Sequence, residues 1–448
     1  MNVYIKTYGC QMNERDSESA AAMLAEAGHT IVHAENEADL IILNTCSVRE
    51  QAEVKAIGKL GILSRLKRER PWMLFGIMGC MAQSRGEELL EKIPHLDFAI
   101  GTDNIHLLPE TLAELEMGQR KLRHDLRMGA DTPGIDAHRM KEDGKTFSAF
   151  VSISRGCNRY CSYCIVPYVR GPERSRDMDS IVEEVRTLAG QGVSEIMLLG
   201  QNVASYGFDR RPPSEMPDDV SHFAELLTRI DDIAGIRRIR FTSPHPAYFN
   251  RKLIETVAAL PKVCKSMHLP LQSGSDAVLK RMNRPYTAEK YRSIVTALRT
   301  LAPEMTFSTD IIVGFPGETE ADFEATREMM RFVHYDNAYI FKYSPRKGTV
   351  SAKLYPDDVP QAEKERRNQV LLSELEQINA ANNAALVGRE FEVLAEGPSK
   401  RNAARWMGCT DTFKQVIFPP ADGLEKGDYI RVRIVRSTAM SLYGEIVN

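Results

Sequence analysis

The chain has no basic, then apolar, stretch at Met1–Lys6 of the kind a secretory leader would show. Nor does any apolar run approach the length of a membrane span, so a cytoplasmic protein with no membrane partner is the expectation. Net charge is small, at −3, which excludes a general polycation but not a local basic patch. No unit of 20 to 50 residues repeats, and no low-complexity tract interrupts the chain. Tryptophan occurs only twice, and both copies, like the Met-rich helices, are expected in the core. Cysteine is scarce too, with eight in 448 residues, so a disulfide framework is a poor account of them. Metal ligands, catalytic thiols or small core residues remain. A hydrophobic content of 43% with 27% charged residues suits a globular chain of two or three domains.

Three of the eight cysteines fall together, in Gly156-Cys157-Asn158-Arg159-Tyr160-Cys161-Ser162-Tyr163-Cys164. Four residues span at most roughly 14 Å, so thiolates spaced Cys-x₃-Cys-x₂-Cys can grip one small inorganic body. Soft thiolates select zinc, copper(I) or iron–sulfur clusters. A structural zinc site needs a fourth ligand, and no Cys or His follows at short range. The stretch therefore reads as a site with one position open. Three buried or zinc-binding cysteines that share this spacing are the alternative.

Along residues 1–115 strand and helix signals alternate. Apolar runs at Val3–Tyr8, Leu40–Leu43, Trp72–Met78 and Phe98–Ile100 alternate with helical runs at 13–28, 49–70 and 84–91, which predicts an open parallel sheet. Cys10, Cys46 and Cys80 each follow one of these strands, where open α/β sheets bind ligands. They are read as a second three-cysteine site, against the alternative of ordinary core cysteines. Residues 116–146 read as an exposed linker. Six further strand–helix units follow, with strands from Ala149–Ser154 to Ala338–Tyr343, and predict a partial (β/α)₆ barrel within residues 147–372. Residues 373–387 are a connecting helix, and 388–448 show short strands of a small antiparallel barrel. There Arg431 and Arg433 share an outward face, beside the basic loop Ser399–Asn402, and suit RNA or simple solvation. The run Arg155, Arg159, Arg170, Arg174 and Arg176, against the lone acid Glu173, is a candidate phosphate patch. Cys264 and Cys409 have no partner at metal-binding spacing and are read as structural.

Cys-x₃-Cys-x-aromatic-Cys, with Tyr163 as the aromatic, resembles the signature of radical S-adenosylmethionine enzymes. Taken with Thr7–Asn13, Asn44–Arg49, Val166–Gly171, Leu198–Val203 and Phe341–Ser344, nearly the whole chain resembles the methylthiotransferases, in their tRNA-modifying MiaB branch. Gln11-Met12 departs from the Gly-Cys-Pro-Lys-Asn typical of the ribosomal-protein branch, and from the Gly-Cys-Lys-Val-Asn of the branch acting on threonylcarbamoyladenosine. The resemblance implies an N-terminal cluster domain, a radical core and a C-terminal TRAM barrel that binds RNA.

It further implies two [4Fe–4S] clusters, one on Cys157, Cys161 and Cys164 and an auxiliary one on Cys10, Cys46 and Cys80. Two molecules of S-adenosylmethionine would be used per turnover, one yielding a 5′-deoxyadenosyl radical and one the methyl group. The substrate would be a tRNA anticodon stem-loop carrying N6-isopentenyladenosine at position 37, methylthiolated at C2. A reductant such as flavodoxin or ferredoxin, a sulfur source and a monomeric enzyme are implied as well. The chemistry is consistent, because an aromatic C–H offers no acidic proton to a general base and requires a one-electron reagent. Both sites must then face one atom, so the sheet and the barrel are expected to meet at their strand ends. Gln201, Asn202, His268, Gln272 and Asp310, polar groups at or near barrel strand ends, are the candidate S-adenosylmethionine contacts, or else plain turn and core residues. A protein-modifying enzyme with the same clusters and a zinc-containing RNA-binding protein are the rival readings.

Overall fold

Continuous apolar runs bury both faces of a strand, and the sheet they build here is parallel throughout. The computed structural model describes residues 1–47, 50–115, 121–126, 134–140, 146–209 and 211–447. Its first sheet orders the strands Thr30–Ile31, Asn2–Tyr8, Leu40–Thr45, Leu74–Gly79, Phe98–Ile100 and Lys121–Arg123. Leu40, Ile41, Ile42 and Leu43 are fully buried, between one layer that includes Leu24 and Leu112 and another that includes Leu60 and Leu63. The chain leaves Asn2–Tyr8 in one direction and re-enters at Leu40 on its other side. That reversal makes a crevice between these two strands, the usual ligand position in such sheets.

Part of the expected linker is sheet and core instead. Lys121–Arg123 pairs with Phe98–Ile100, and the short helix Gly134–Ala137 buries Ile135 and Asp136. Charge and glycine obscured both in the sequence, since three residues carry no readable period. The rest of that linker, residues 116–120, 127–133 and 141–145, lies outside the described residues, as do Val48 and Arg49 at the expected start of the second helix. Trp72, expected in the core, is 69% exposed in the turn before its strand.

Six parallel strands then run in sequence order. Ser148–Ser152, Glu195–Leu199 and Arg238–Phe241 form one sheet, and Ser266–His268, Thr306–Val313 and Asn337–Lys342 a second. A parallel bridge from Ile239 to Val263 joins the two into an open barrel. On Thr306–Val313 burial alternates strictly. Phe307, Thr309, Ile311 and Val313 are buried, while Ser308, Asp310 and Ile312 lie half-buried on the opposite face.

Gln361–Ala384 is one continuous helix, crossing the boundary expected at 372–373, and leads into a closed five-stranded barrel. Four of that barrel's strand pairings are antiparallel, while Gln415–Phe418 pairs in parallel with Leu442–Ile446 to close it. Trp406–Thr410 is a strand that the sequence reading passed over. This barrel seats on the N-terminal ends of the larger one. Arg238 donates to the carbonyls of Cys409 and Glu392, and Arg240 to those of Asp411 and Thr410. Arg237 lies 3.6 Å above the Tyr429 ring. Cys264 and Cys409 are buried. Among the described residues no helix is long and apolar enough to cross a membrane.

Candidate active site

Cys10, Cys46 and Cys80 follow three neighbouring strands of the first sheet. Their ends are tied side to side. The Cys10 thiol donates to Asn13 Oδ1 at 3.3 Å, and Asn13 Nδ2 donates to Asn44 Oδ1 at 3.0 Å. Asn44 Nδ2 returns to the Asn13 carbonyl at 2.7 Å, and Thr45 Oγ1 donates to the Met78 carbonyl at 3.0 Å. Gly79 has φ +92°, and a Cβ there would stand 2.4 Å from Asn44 Oδ1. Only glycine lets the third strand come this close and turn directly into the helix that Cys80 begins. Cys80 is buried, which raises its thiol to about 12. Cys46 and Cys10 push it the same way, while Arg170 opposes them.

The other trio sits on the loop after the first barrel strand. Gly156, at φ +79°, opens it, and a Cβ there would overlap the Pro172 carbonyl at 2.0 Å. Its N–H donates to Gln201 Oε1 at 2.5 Å, and Cys157 N–H donates to the Gly171 carbonyl at 3.1 Å. Ser162 N–H and Oγ donate to the carbonyls of Met282 and Arg281. Burial raises the thiols of Cys157 and Cys164, the latter to about 12, and neighbouring cysteines add to it in both. Arg284, itself buried, donates to Cys161 Sγ at 3.5 Å.

The sheet and the barrel that carry the two trios meet across a charged seam. Asp16 accepts from Arg155 at 2.7 Å and from Arg170 at 2.9 Å, both across the seam between sheet and barrel. Asp136 takes the other side of Arg155 at 2.8 and 3.0 Å, and Asp103 accepts from Arg174 at 2.7 Å. Cys80 packs in one small apolar cluster with Ile165 and Val169, the first of these adjacent in sequence to Cys164.

This seam corrects the expected phosphate patch. Arg155, Arg170 and Arg174 are buried against carboxylates, and Arg176 pairs with Glu184. Arg159 alone of the five makes no ion pair among the described residues. Glu173 is no surface acid either, since burial lifts its carboxyl to about 8 against a hydrogen bond from Ser205.

The five candidate S-adenosylmethionine contacts divide into two groups. Gln201 holds Gly156, and buried Asn202 accepts from the His245 N–H at 2.9 Å, with its own Nδ2 unpartnered among the described residues. His268 meets Ser308 Oγ at 3.0 Å and Asp310 Oδ2 at 3.5 Å, and the Gln272 N–H donates to the Asp310 carbonyl. Sequence reasoning missed Asp16, Asp103, Asp136, His245 and Arg284, which carry no spacing that marks them. His245 is buried and neutral, because burial and the nearby Arg284 and Arg159 hold its pKa far down, and its Nε2 has no partner among the described residues.

Residues 2–101 match an uncharacterized protein family, UPF0004. Residues 151–330 match the radical SAM superfamily and 384–447 the TRAM domain. A protein of Opitutus terrae named tRNA-2-methylthio-N(6)-dimethylallyladenosine synthase is 46% identical, over 99% of this chain and 97% of that one. One of the same name from Akkermansia muciniphila is 45% identical, over 99% and 98%. The chain belongs to this family of MiaB-type methylthiotransferases. It is a radical S-adenosylmethionine enzyme. Among solved structures, the radical S-adenosylmethionine methyltransferase TsrM from Kitasatospora setae shares its fold, with a TM-score of 0.57 at 13% identity, over 76% of this chain and 74% of that one.

The superfamily implies a [4Fe–4S] cluster and S-adenosylmethionine, and the residues present fit such a group. The Cys157–Cys164 loop offers three thiols on a backbone pinned at Gly156, Cys157 and Ser162, with the Arg284 cation against one sulfur. Among the described residues, no three His, Cys, Asp or Glu side chains close around a single metal ion. A cluster does not require that closure, because each thiolate binds its own iron.

Proposed function

We propose that this enzyme inserts a methylthio group at C2 of N6-isopentenyladenosine at position 37 of tRNA, giving 2-methylthio-N6-isopentenyladenosine. The observation that supports the reading is the packing of Cys80, at the carboxyl end of a sheet strand, against Ile165 and Val169, which directly follow the Cys157–Cys164 loop. Cys157, Cys161 and Cys164 would hold one [4Fe–4S] cluster, and Cys10, Cys46 and Cys80 the other. When bound, these groups and two S-adenosylmethionine molecules supply the one-electron chemistry, the sulfur and the methyl group that an inert aromatic carbon requires.

The chain's own part is placement. Arg284 sets a positive charge against Cys161, and Gln201 fixes the start of the loop. Asn202 Nδ2, His268, Gln272 and Asp310 would contact S-adenosylmethionine at the barrel mouth. Asp16 fixes how the two trios stand to each other through Arg155 and Arg170. The TRAM barrel, with Arg431 and Arg433 on its outer face, would hold the anticodon stem-loop. A reductant such as flavodoxin or ferredoxin, a separate sulfur source and a monomeric state complete the reading.

The test is anaerobic reconstitution, then incubation with isopentenylated tRNA or with ribosomal protein, read by mass spectrometry of nucleosides and peptides. Methylthio product on the tRNA alone is expected, and it should vanish in Cys46→Ala and in Cys161→Ala. Product on protein, or none on tRNA from an enzyme loaded with both clusters, would overturn it.

A further inference from the structure

We infer that Tyr160 and Tyr168 form a stacking site for an unpaired base of the RNA loop, at the opening between the two cysteine trios. The inference rests on the function proposed above and deepens it. Tyr160 is 45% exposed and Tyr168 39%, with ring centroids 6.1 Å apart and planes at 79°. Two large aromatics left in solvent, edge against face, offer one open ring face with a wall beside it. Tyr160 lies between Cys157 and Cys161, while Tyr168 is on the helix Val166–Arg170. The residue after Tyr168, Val169, packs with Cys80. The tyrosine pair therefore stands on the loop of one trio and on the short helix that packs against Cys80 of the other.

Tyr160 also adopts a sparsely populated conformation, at φ +45°. Asn283 Nδ2 donates to its carbonyl at 3.0 Å and to that of Arg159 at 3.4 Å. Strain kept in this way is a mark of a functional loop, and here it turns a bulky ring out into water. Asn283 also lines a cavity of about 420 Å³, together with Arg159, Pro212, Ser214, Ala247 and Lys290. Arg159 is the arginine left without an ion pair, and its Nε has no hydrogen-bond partner among the described residues. A ring face beside a basic cavity matches what an RNA loop presents, a splayed base followed by a phosphate.

Reconstituted holoenzyme variants would be titrated with an anticodon stem-loop bearing N6-isopentenyladenosine, and with a fully paired duplex as control. Tyr160→Asn removes the ring but keeps a residue tolerant of positive φ. Tyr168→Ala lies outside the cysteine loop, and so carries the test if Tyr160→Asn loses its cluster. Each is expected to weaken stem-loop binding by about 5- to 100-fold, with Tyr160→Phe and Tyr160→Trp retaining it. The slope of log affinity against log salt should not change in these variants, whereas Arg159→Gln should lower it by about one unit. Duplex binding should be unaffected. Affinities within about twofold of wild type for both ring deletions, or a Tyr160→Phe variant as weak as Tyr160→Asn, overturn the stacking site alone. A wild-type holoenzyme that binds no stem-loop overturns the proposed function with it.

Discussion

Asp16→Asn is the sharpest perturbation of how the two halves of the site are held together. Asp16 is fully buried on the helix Gln11–Glu26, and each of its oxygens takes a different arginine from across the seam. The amide keeps the shape but turns an NH₂ towards one guanidinium and removes the anion from both. Breaking a buried ion pair by neutralising one partner costs about 3–5 kcal/mol. Arg155 retains Asp136, whereas Arg170 loses its only carboxylate among the described residues, so about 3 kcal/mol is expected. Urea titration of the cluster-free protein should show the loss, with protease sites opening near 134–140 before global unfolding. Both trios stay intact within their own domains, so iron content should remain near wild type while product formation drops at least tenfold. Removing both charges, in Asp16→Asn/Arg170→Met, should recover part of the stability, because no unpaired cation is left buried. A loss below about 1 kcal/mol, or strict additivity in the double variant, would show that apolar packing and not this carboxylate fixes the seam.

Gly156→Ala places a Cβ 2.0 Å from a carbonyl and Gly79→Ala one 2.4 Å from Asn44. On the proposed reading of one cluster per trio, each should remove one of them, lowering iron from about eight to about four per chain by colorimetric assay. Asp136 is buried, which alone would raise its carboxyl, yet Arg155 overrides this and brings it down to about 2. A depressed carboxylate stabilises above its unfolded pKa and is lost as pH falls through the folded one. The stability gap between wild type and Asp136→Asn, measured on cluster-free protein, should therefore shrink by about 2 kcal/mol from about pH 4 to about pH 2. Arg240→Gln deletes donations to the carbonyls of Thr410 and Asp411 and an ion pair with Glu195. It should loosen the TRAM barrel enough for limited proteolysis after Ala384 to release it, with iron content unchanged.

What could be read from the residues and what could not follow from the range of each signal. Continuous apolar runs such as Leu40–Leu43 and alternation such as Phe307–Val313 are local, so the strands and the cysteines that follow them were visible. Neighbourhood between strands is not local, yet the parallel pattern implied that Cys10, Cys46 and Cys80 share one sheet edge, and their strands are adjacent. Short elements with mixed composition escaped, as Lys121–Arg123 and Trp406–Thr410 show. Charge was misread for a different reason. Five arginines close in sequence look like a surface patch, but Asp16, Asp103 and Asp136, the partners of Arg155, Arg170 and Arg174, come from residues up to 154 positions away. Gln201 stands out for its place at a strand end, while the Gly156 N–H that its side-chain oxygen receives comes from 45 residues away and was not visible.

Those arginines also fix how the sheet and the barrel stand to each other. An apolar seam would tolerate sliding, because burial is non-directional and scales only with area. Charge-assisted hydrogen bonds at 2.7–3.0 Å fix direction as well as distance. The loop that carries Cys157, Cys161 and Cys164 is followed within ten residues by Arg170 and Arg174, and preceded by Arg155. A shift of the seam would therefore move the loop itself, and the carboxylates Asp16 and Asp103 lie just beyond Cys10 and in the turn after Phe98–Ile100. Arg155, Arg170, Arg174 and Asp16 all lie within ten residues of a cysteine, so the pairs that fix the seam stand beside both trios.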